Sequence, residues 1–195
     1  MRKEVLAAYN NDWRAALELV LGPVPQDRPI FYQKHMTHHM LDAFDRNWIA
    51  NCRNAFLIRA PDRVLASYTE KRPDVELADI GFVQQRELFE READRLGKAP
   101  PVIEAEDVLA SPRQALTVLC IALDIPFTEQ MLSWPAGPRA TDGIWGAVWY
   151  ESVKKSTGFA PQRSSAPKPL SKELQTIADA ARPHYERLVE HKLKI

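Results

Sequence analysis

The sequence is poor in cysteine and glycine, carries no excess of either charge, and has no long apolar run. Two cysteines, Cys52 and Cys120, cannot build a disulfide scaffold. Both sit in apolar surroundings and read as reduced core residues, which points to a cytoplasmic setting. Lysine and arginine number 26, and aspartate and glutamate also 26. The basic excess of a general nucleic-acid binder is therefore missing, and no nucleic-acid partner is expected. No apolar stretch approaches the about 18 residues that span a bilayer. The opening MRKEVLAAYNNDWR lacks an apolar signal region, so neither membrane insertion nor secretion is expected. What remains is an ordinary balance of 45% hydrophobic and 27% charged residues over 195 positions. That suits one folded domain over residues 1–195, with room for a small subdomain.

Charge is uneven along the chain. Residues 73–110 hold ten acids and four bases, whereas 139–172 hold six bases and two acids. A basic segment in a neutral protein suits a small anionic ligand better than a long polyanion; it equally suits a solvated tail.

Val5, Leu6, Tyr9, Trp13, Leu17, Val20 and Leu21 recur at helical spacing, and Gly22-Pro23 ends that helix. Three short apolar runs, PIFYQ (29–33), AFLI (55–58) and PVIEA (101–105), read as buried strands. Thr37 is expected to cap a short helix through Phe44. Pro61 and Asp62 mark the start of a helix over 61–71, and a longer helix is expected over 76–96, stopped by Gly97. Pro112 opens another, with Leu116, Leu119, Cys120 and Leu123 on one face. A short helix is expected near 146–155, an exposed loop over 160–170, and a last helix from Ser171, kinked by Pro183. Buried strands alternating with helices imply an α/β fold with a mostly parallel sheet and helices on its faces.

The richest stretch is FLIRAPDRVLASY (56–68). An apolar strand ends in Arg59 and a helix begins at Pro61, which puts Arg59 at the carboxyl end of a strand, where open α/β sheets bind ligands. An arginine fork with the Ser67 hydroxyl suits a phosphate; the structural alternative pairs Arg59 with Asp62. This Arg-x-Pro, with Ser eight residues after the arginine, resembles the 3′-phosphate signature of sulfotransferases that use 3′-phosphoadenosine 5′-phosphosulfate (PAPS). VIEAEDVLASPRQALTVLCIALDIPF (102–127) resembles a second block of that family, with Asp124 where glycine is common. DGIWGAVWYESVKKSTGF (142–159) resembles a bacterial sulfotransferase-like branch, relatives of which are fused to aminotransferase-like domains.

The resemblance implies a phosphate-loop nucleoside triphosphate hydrolase fold of three layers around a parallel sheet. It also implies transfer of a sulfuryl group from PAPS to a hydroxyl or amine of a small-molecule acceptor, without a metal. Arg59 and Ser67 match the pair that holds the donor's 3′-phosphate. Lys34 matches the lysine at the leaving phosphate. The family's histidine base would fall on Met36, so His35, His38 and His39 are the candidates to take the acceptor proton. His35 and His39, four residues apart, also invite a metal reading, but no H-E-x-x-H or nearby cysteine supports one. Lys155 and Gly158, in the run KKSTG, loosely match a loop that closes on the 3′-phosphate; a solvated helix end is the structural alternative. Trp145, Trp149 and Tyr150 suit either an acceptor pocket or the core.

The seven glycines, at 22, 81, 97, 137, 143, 146 and 158, open no phosphate-loop pattern. The N-terminal strand and phosphate loop of the family are therefore expected to be missing, through truncation or in a natural short paralogue. Weak or no transfer by the chain alone follows, because each lost oxyanion donor costs ~3–4 kcal/mol. A non-catalytic nucleotide-binding or interaction module of the same fold is the alternative function; a nucleoside kinase is a third. The exposed sheet position would favour homo-oligomers.

Overall fold

The computed structural model describes residues 2–9, 12–139, 142–144, 146–160 and 169–195. In chain order the helices are α1 (Arg2–Ala8), α2 (Trp13–Leu21), α3 (Pro61–Tyr68), α4 (Leu77–Ile80), α5 (Phe82–Leu96), α6 (Ala105–Ala110), α7 (Pro112–Ala122), α8 (Gly146–Trp149), α9 (Glu151–Lys154) and α10 (Lys172–Val189). The strands are β1 (Phe56–Ile58) and β2 (Val102–Glu104). The chain divides into two compact units, one made of residues 1–34 and 129–160, the other of 35–128 and 161–195.

The larger unit is a helix-rich α/β arrangement. β1 and β2 pair in parallel with Phe56 opposite Val102 and Ile58 opposite Glu104. The crossover between them carries α3, α4 and α5, as parallel pairing demands. Phe56 and Ile58 point into the core while Leu57 faces out, the two-residue alternation of a strand covered on one side. That core gathers Ile49, Leu88, Phe89, Val102 and Leu188 around them. Phe56 and Phe89 meet edge to face with ring centroids 5.6 Å apart. Residues after α10 complete the far side of β2: Lys192 bridges Val102, and the Leu193 N–H donates to the Val102 carbonyl at 2.8 Å.

Two of the three expected strands form, and PIFYQ does not. Residues 28–36 are irregular, with Tyr32 82% exposed and Ile30 and Phe31 also outside the core. A β-prone run becomes a strand only against a partner edge. This one instead sits beside α2, where the Gln33 side-chain amide donates to the Val20 carbonyl at 2.7 Å. The expected first helix is two, α1 and α2, with Asp12 accepting from the Arg14 N–H at the start of the second. The helix expected over 76–96 breaks at Gly81, whose φ of 67° is left-handed. Thr37 does not cap: Met36 precedes the single 3₁₀ turn Thr37–His39, and the Thr37 hydroxyl donates to the Gly81 carbonyl at 2.9 Å. α10 starts after Ser171, whose hydroxyl caps the Leu174 N–H, and runs through Pro183 to Val189. Most of the expected 160–170 loop, residues 161–168, lies outside the described residues, as does Trp145.

Glu92 is the one charged residue fully buried among the described residues. Its carboxylate accepts from Arg95 at 2.7 Å and from the Asn54 amide at 2.8 Å. The Arg95 hydrogen bonds, aided by Asn54, outweigh burial and hold its carboxyl below the usual glutamate range. A depressed folded pKa contributes stability above the unfolded value of about 4.3 and loses it as pH falls through the folded one. Glu92→Gln is therefore expected to cost about 1–2 kcal/mol at pH 7. Urea unfolding at pH 7 and at pH 3.5 should show the two proteins converging in acid. A constant difference would remove Glu92 from the acid response.

Candidate functional site

The parallel register brings the carboxyl ends of β1 and β2 together. Arg59 follows β1, and Glu106 lies in the first turn of α6, directly after β2. Their side chains meet: Arg59 Nε is 3.3 Å from Glu106 Oε1, and Arg63 Nε, in the first turn of α3, is 3.5 Å from the same oxygen. Glu106 Oε2 is buried and accepts no hydrogen bond. Asp62 is taken instead by Arg182 at 3.3 Å, so the Arg59–Asp62 pair does not form. Arg59 remains about one-third exposed, within reach of a ligand. Ser67 is on the exposed side of α3. The remaining carboxylates of this turn are also neutralised: Glu104 binds the Tyr185 hydroxyl and Lys192, and Lys192 reaches Asp107 at 2.8 Å. Burial, together with Glu104, pushes the Tyr185 phenol well above its usual range.

The histidines sit in the same unit on the segment next to Gly81. His35 stands edge-on to Trp48 with centroids 5.0 Å apart, and the His38 and His39 rings are 4.2 Å apart. Partial desolvation lowers the pKa of all three. For His38, the neighbouring His39 and Arg72 lower it further, against an opposing pull from Asp79. Each imidazole is thereby biased toward its neutral form, the form that can serve as a base near neutral pH. Among the described residues no cluster of His, Cys, Asp or Glu has the makings of a metal site.

The smaller unit holds a cavity of about 560 Å³. Its floor comes from the irregular 133–139 segment, which backbone bonds from Trp134 to Thr157 (3.0 Å) and from Gly137 to Lys154 (2.7 Å) fold against the 153–158 run. Lys34, Arg139 and Lys154 bring positive charge to the wall, and Tyr32, Trp134 and Tyr150 bring rings. Lys155 is exposed and pairs with Glu151 at 2.8 Å. Gly158 bridges Ser133, with the Leu132 carbonyl too near for a side chain to be added freely. Trp149 is largely exposed. Lys34 thus joins Lys154 rather than Lys155, while Arg59, Ser67 and the histidines belong to the other unit. Arg139, Tyr32 and the Glu106 partner of Arg59 were not singled out by spacing. The one sequence signal for Arg139 is the surplus of bases over 139–172, and for Glu106 the surplus of acids over 73–110.

Residues 1–191 match the family model described as "Sulfotransferase domain". The chain is 32% identical over 161 residues to "Branched-chain-amino-acid aminotransferase-like protein 1" of Arabidopsis thaliana, covering 82% of this chain and 28% of that protein. It is 31% identical over 154 residues to protein 2 of the same name, covering 78% and 27%. The chain therefore spans little more than a quarter of these relatives. Among solved structures it is similar to the "Sulfotransferase Domain from the Curacin Biosynthetic Pathway", with 21% identity, a TM-score of 0.36, and coverage of 68% of this chain and 54% of that one.

Proposed function

The chain belongs to the sulfotransferase family, and from that premise we propose that it binds PAPS and passes its sulfuryl group to a hydroxyl or amine of a small molecule. The acceptor's lone pair attacks sulfur, the bond from sulfur to the phosphate oxygen breaks, and 3′-phosphoadenosine 5′-phosphate (PAP) leaves. Arg59 and Ser67 hold the 3′-phosphate, Lys34 neutralises the leaving phosphate, and His35 or His38 takes the acceptor proton. Lys155 and Gly158 belong to a loop that closes on the nucleotide. The fold of this reading is the three-layer phosphate-loop arrangement of the family.

The observation that carries it is Arg59, placed at the carboxyl end of β1 and held, among the described residues, by a carboxylate that a phosphate can replace. The neutral imidazoles support the role of base. No glycine pattern of a phosphate loop is present in these 195 residues, which favours slow transfer and makes a nucleotide-binding module the second reading. Calorimetric titration with PAP, with 5′-AMP as control, tests the site common to both. PAP should bind at least tenfold tighter, because an arginine–phosphate bond contributes roughly 1.5–3 kcal/mol. Equal affinities would overturn the 3′-phosphate site. Sulfate transfer from labelled PAPS then separates enzyme from module.

A further inference from the structure

The cavity of the smaller unit has a chemistry that the donor-side residues Arg59 and Ser67 leave unused. Lys34, Arg139 and Lys154 line it and make no ion pair with any described residue. One acid faces them, Asp142, and its carboxylate is already engaged by the Arg139 backbone N–H at 3.0 Å. Two positive charges are thus left over in a recess that Tyr32, Trp134 and Tyr150 also line, with Gly137 and Val153. Trp134 is fixed: its indole N–H donates to the Ser156 hydroxyl at 3.0 Å, and its ring stands edge-on to Phe159 at 5.3 Å. The fixed Trp134 ring favours a flat apolar body, and the cations beside it favour a negative group on that body. A volume of about 560 Å³ is in the range of small-molecule sites, roughly 300–1,000 Å³.

We infer that this cavity binds a small planar anion, an aromatic ring carrying a carboxylate or a similar charge. The inference rests on the proposed function for one further step: this ligand is the acceptor, with its anionic group anchored by Arg139 and Lys154. In transfer the acceptor's hydroxyl oxygen would bond to sulfur, lose its proton, and displace PAP. The anchor remains unchanged throughout.

The test uses the full chain and calorimetry with 4-hydroxybenzoate, against the neutral 4-hydroxybenzyl alcohol of nearly the same shape. The carboxylate should bind at least tenfold tighter. Arg139→Gln and Lys154→Gln should each weaken it roughly three- to thirtyfold while leaving the alcohol unaffected. Arg139 is exposed and Lys154 ends a helix, so both variants keep the fold, which circular dichroism checks. Equal affinity for the two probes, or no response to either variant, overturns the site. PAP decides the role: simultaneous binding of PAP and 4-hydroxybenzoate supports an acceptor pocket, and mutual displacement overturns it by showing that the cavity takes the donor's own phosphates. If PAP does not bind at all while the carboxylate preference holds, the donor reading fails and the aryl-anion site stands.

Discussion

Arg59→Ala should erase the preference for PAP over 5′-AMP, lowering PAP affinity by roughly ten- to a hundredfold, the worth of a charge-assisted hydrogen bond. Affinity for 5′-AMP should hardly move, because that ligand has no 3′-phosphate for the guanidinium to grip. The protein should stay folded: Glu106 keeps Arg63 as a counter-ion at 3.5 Å when Arg59 is removed. Losing one partner of a cluster that keeps another counter-ion costs little, whereas a buried carboxylate left unpaired would cost a good deal. Arg59→Lys should recover only part of the preference, since an ammonium is a point charge without the fork that matches two phosphate oxygens. Titrations of the three proteins with both nucleotides check this. An unchanged ratio in Arg59→Ala would remove Arg59 from the nucleotide site, whatever the family match implies.

The same arginine shows what a sequence reveals and what it conceals. Its place at a strand end was readable, because AFLI is short, apolar and followed by Pro61 and Asp62, and the structure puts β1 and α3 there. Its partner was not. Glu106 is 47 residues away and reaches Arg59 only because β1 and β2 run parallel with Ile58 opposite Glu104; Asp62, three residues away, is drawn to Arg182 on α10. PIFYQ has the composition of a strand, but composition does not supply an edge to pair with. Asp124 was readable in another way. The family resemblance implies glycine at this place, and the Asp124 φ of 52° lies in the left-handed region that glycine enters freely and aspartate tolerates. Arg53 helps hold it there, donating to the carbonyls of Leu123 and Asp124 at 2.7 and 2.6 Å. The cavity was concealed most fully. Its walls come from a proline- and glycine-rich stretch with no period to read, and long-range backbone bonds such as that from Gly137 to Lys154 set its shape.

Gly81→Ala should be the most damaging single substitution near the histidines, destabilising the chain by about 2–4 kcal/mol. Two costs combine. The backbone at φ 67° is strained for any residue with a Cβ. A methyl group at that position would also lie 2.6 Å from the Thr37 hydroxyl and 2.7 Å from the His38 backbone nitrogen. The Thr37 hydroxyl escapes such a clash only by giving up its 2.9 Å bond to the Gly81 carbonyl; the His38 nitrogen is backbone and moves only with the whole turn. The break between α4 and α5 is thus where the histidine segment docks. Thermal unfolding measures the loss, and His38 titration followed by NMR identifies its cause. In the native chain partial desolvation is the largest cause of the low His38 pKa. A turn pushed away from Gly81 exposes the ring, and its pKa should rise toward the ordinary value of about 6.5. Lost stability with an unmoved His38 pKa would mean that the strain is absorbed elsewhere, and Gly81 would then have no hold on the candidate base. Lost stability together with a raised His38 pKa would make Gly81 a positioning residue for the base, and transfer in the variant should then fall further than its folded fraction accounts for.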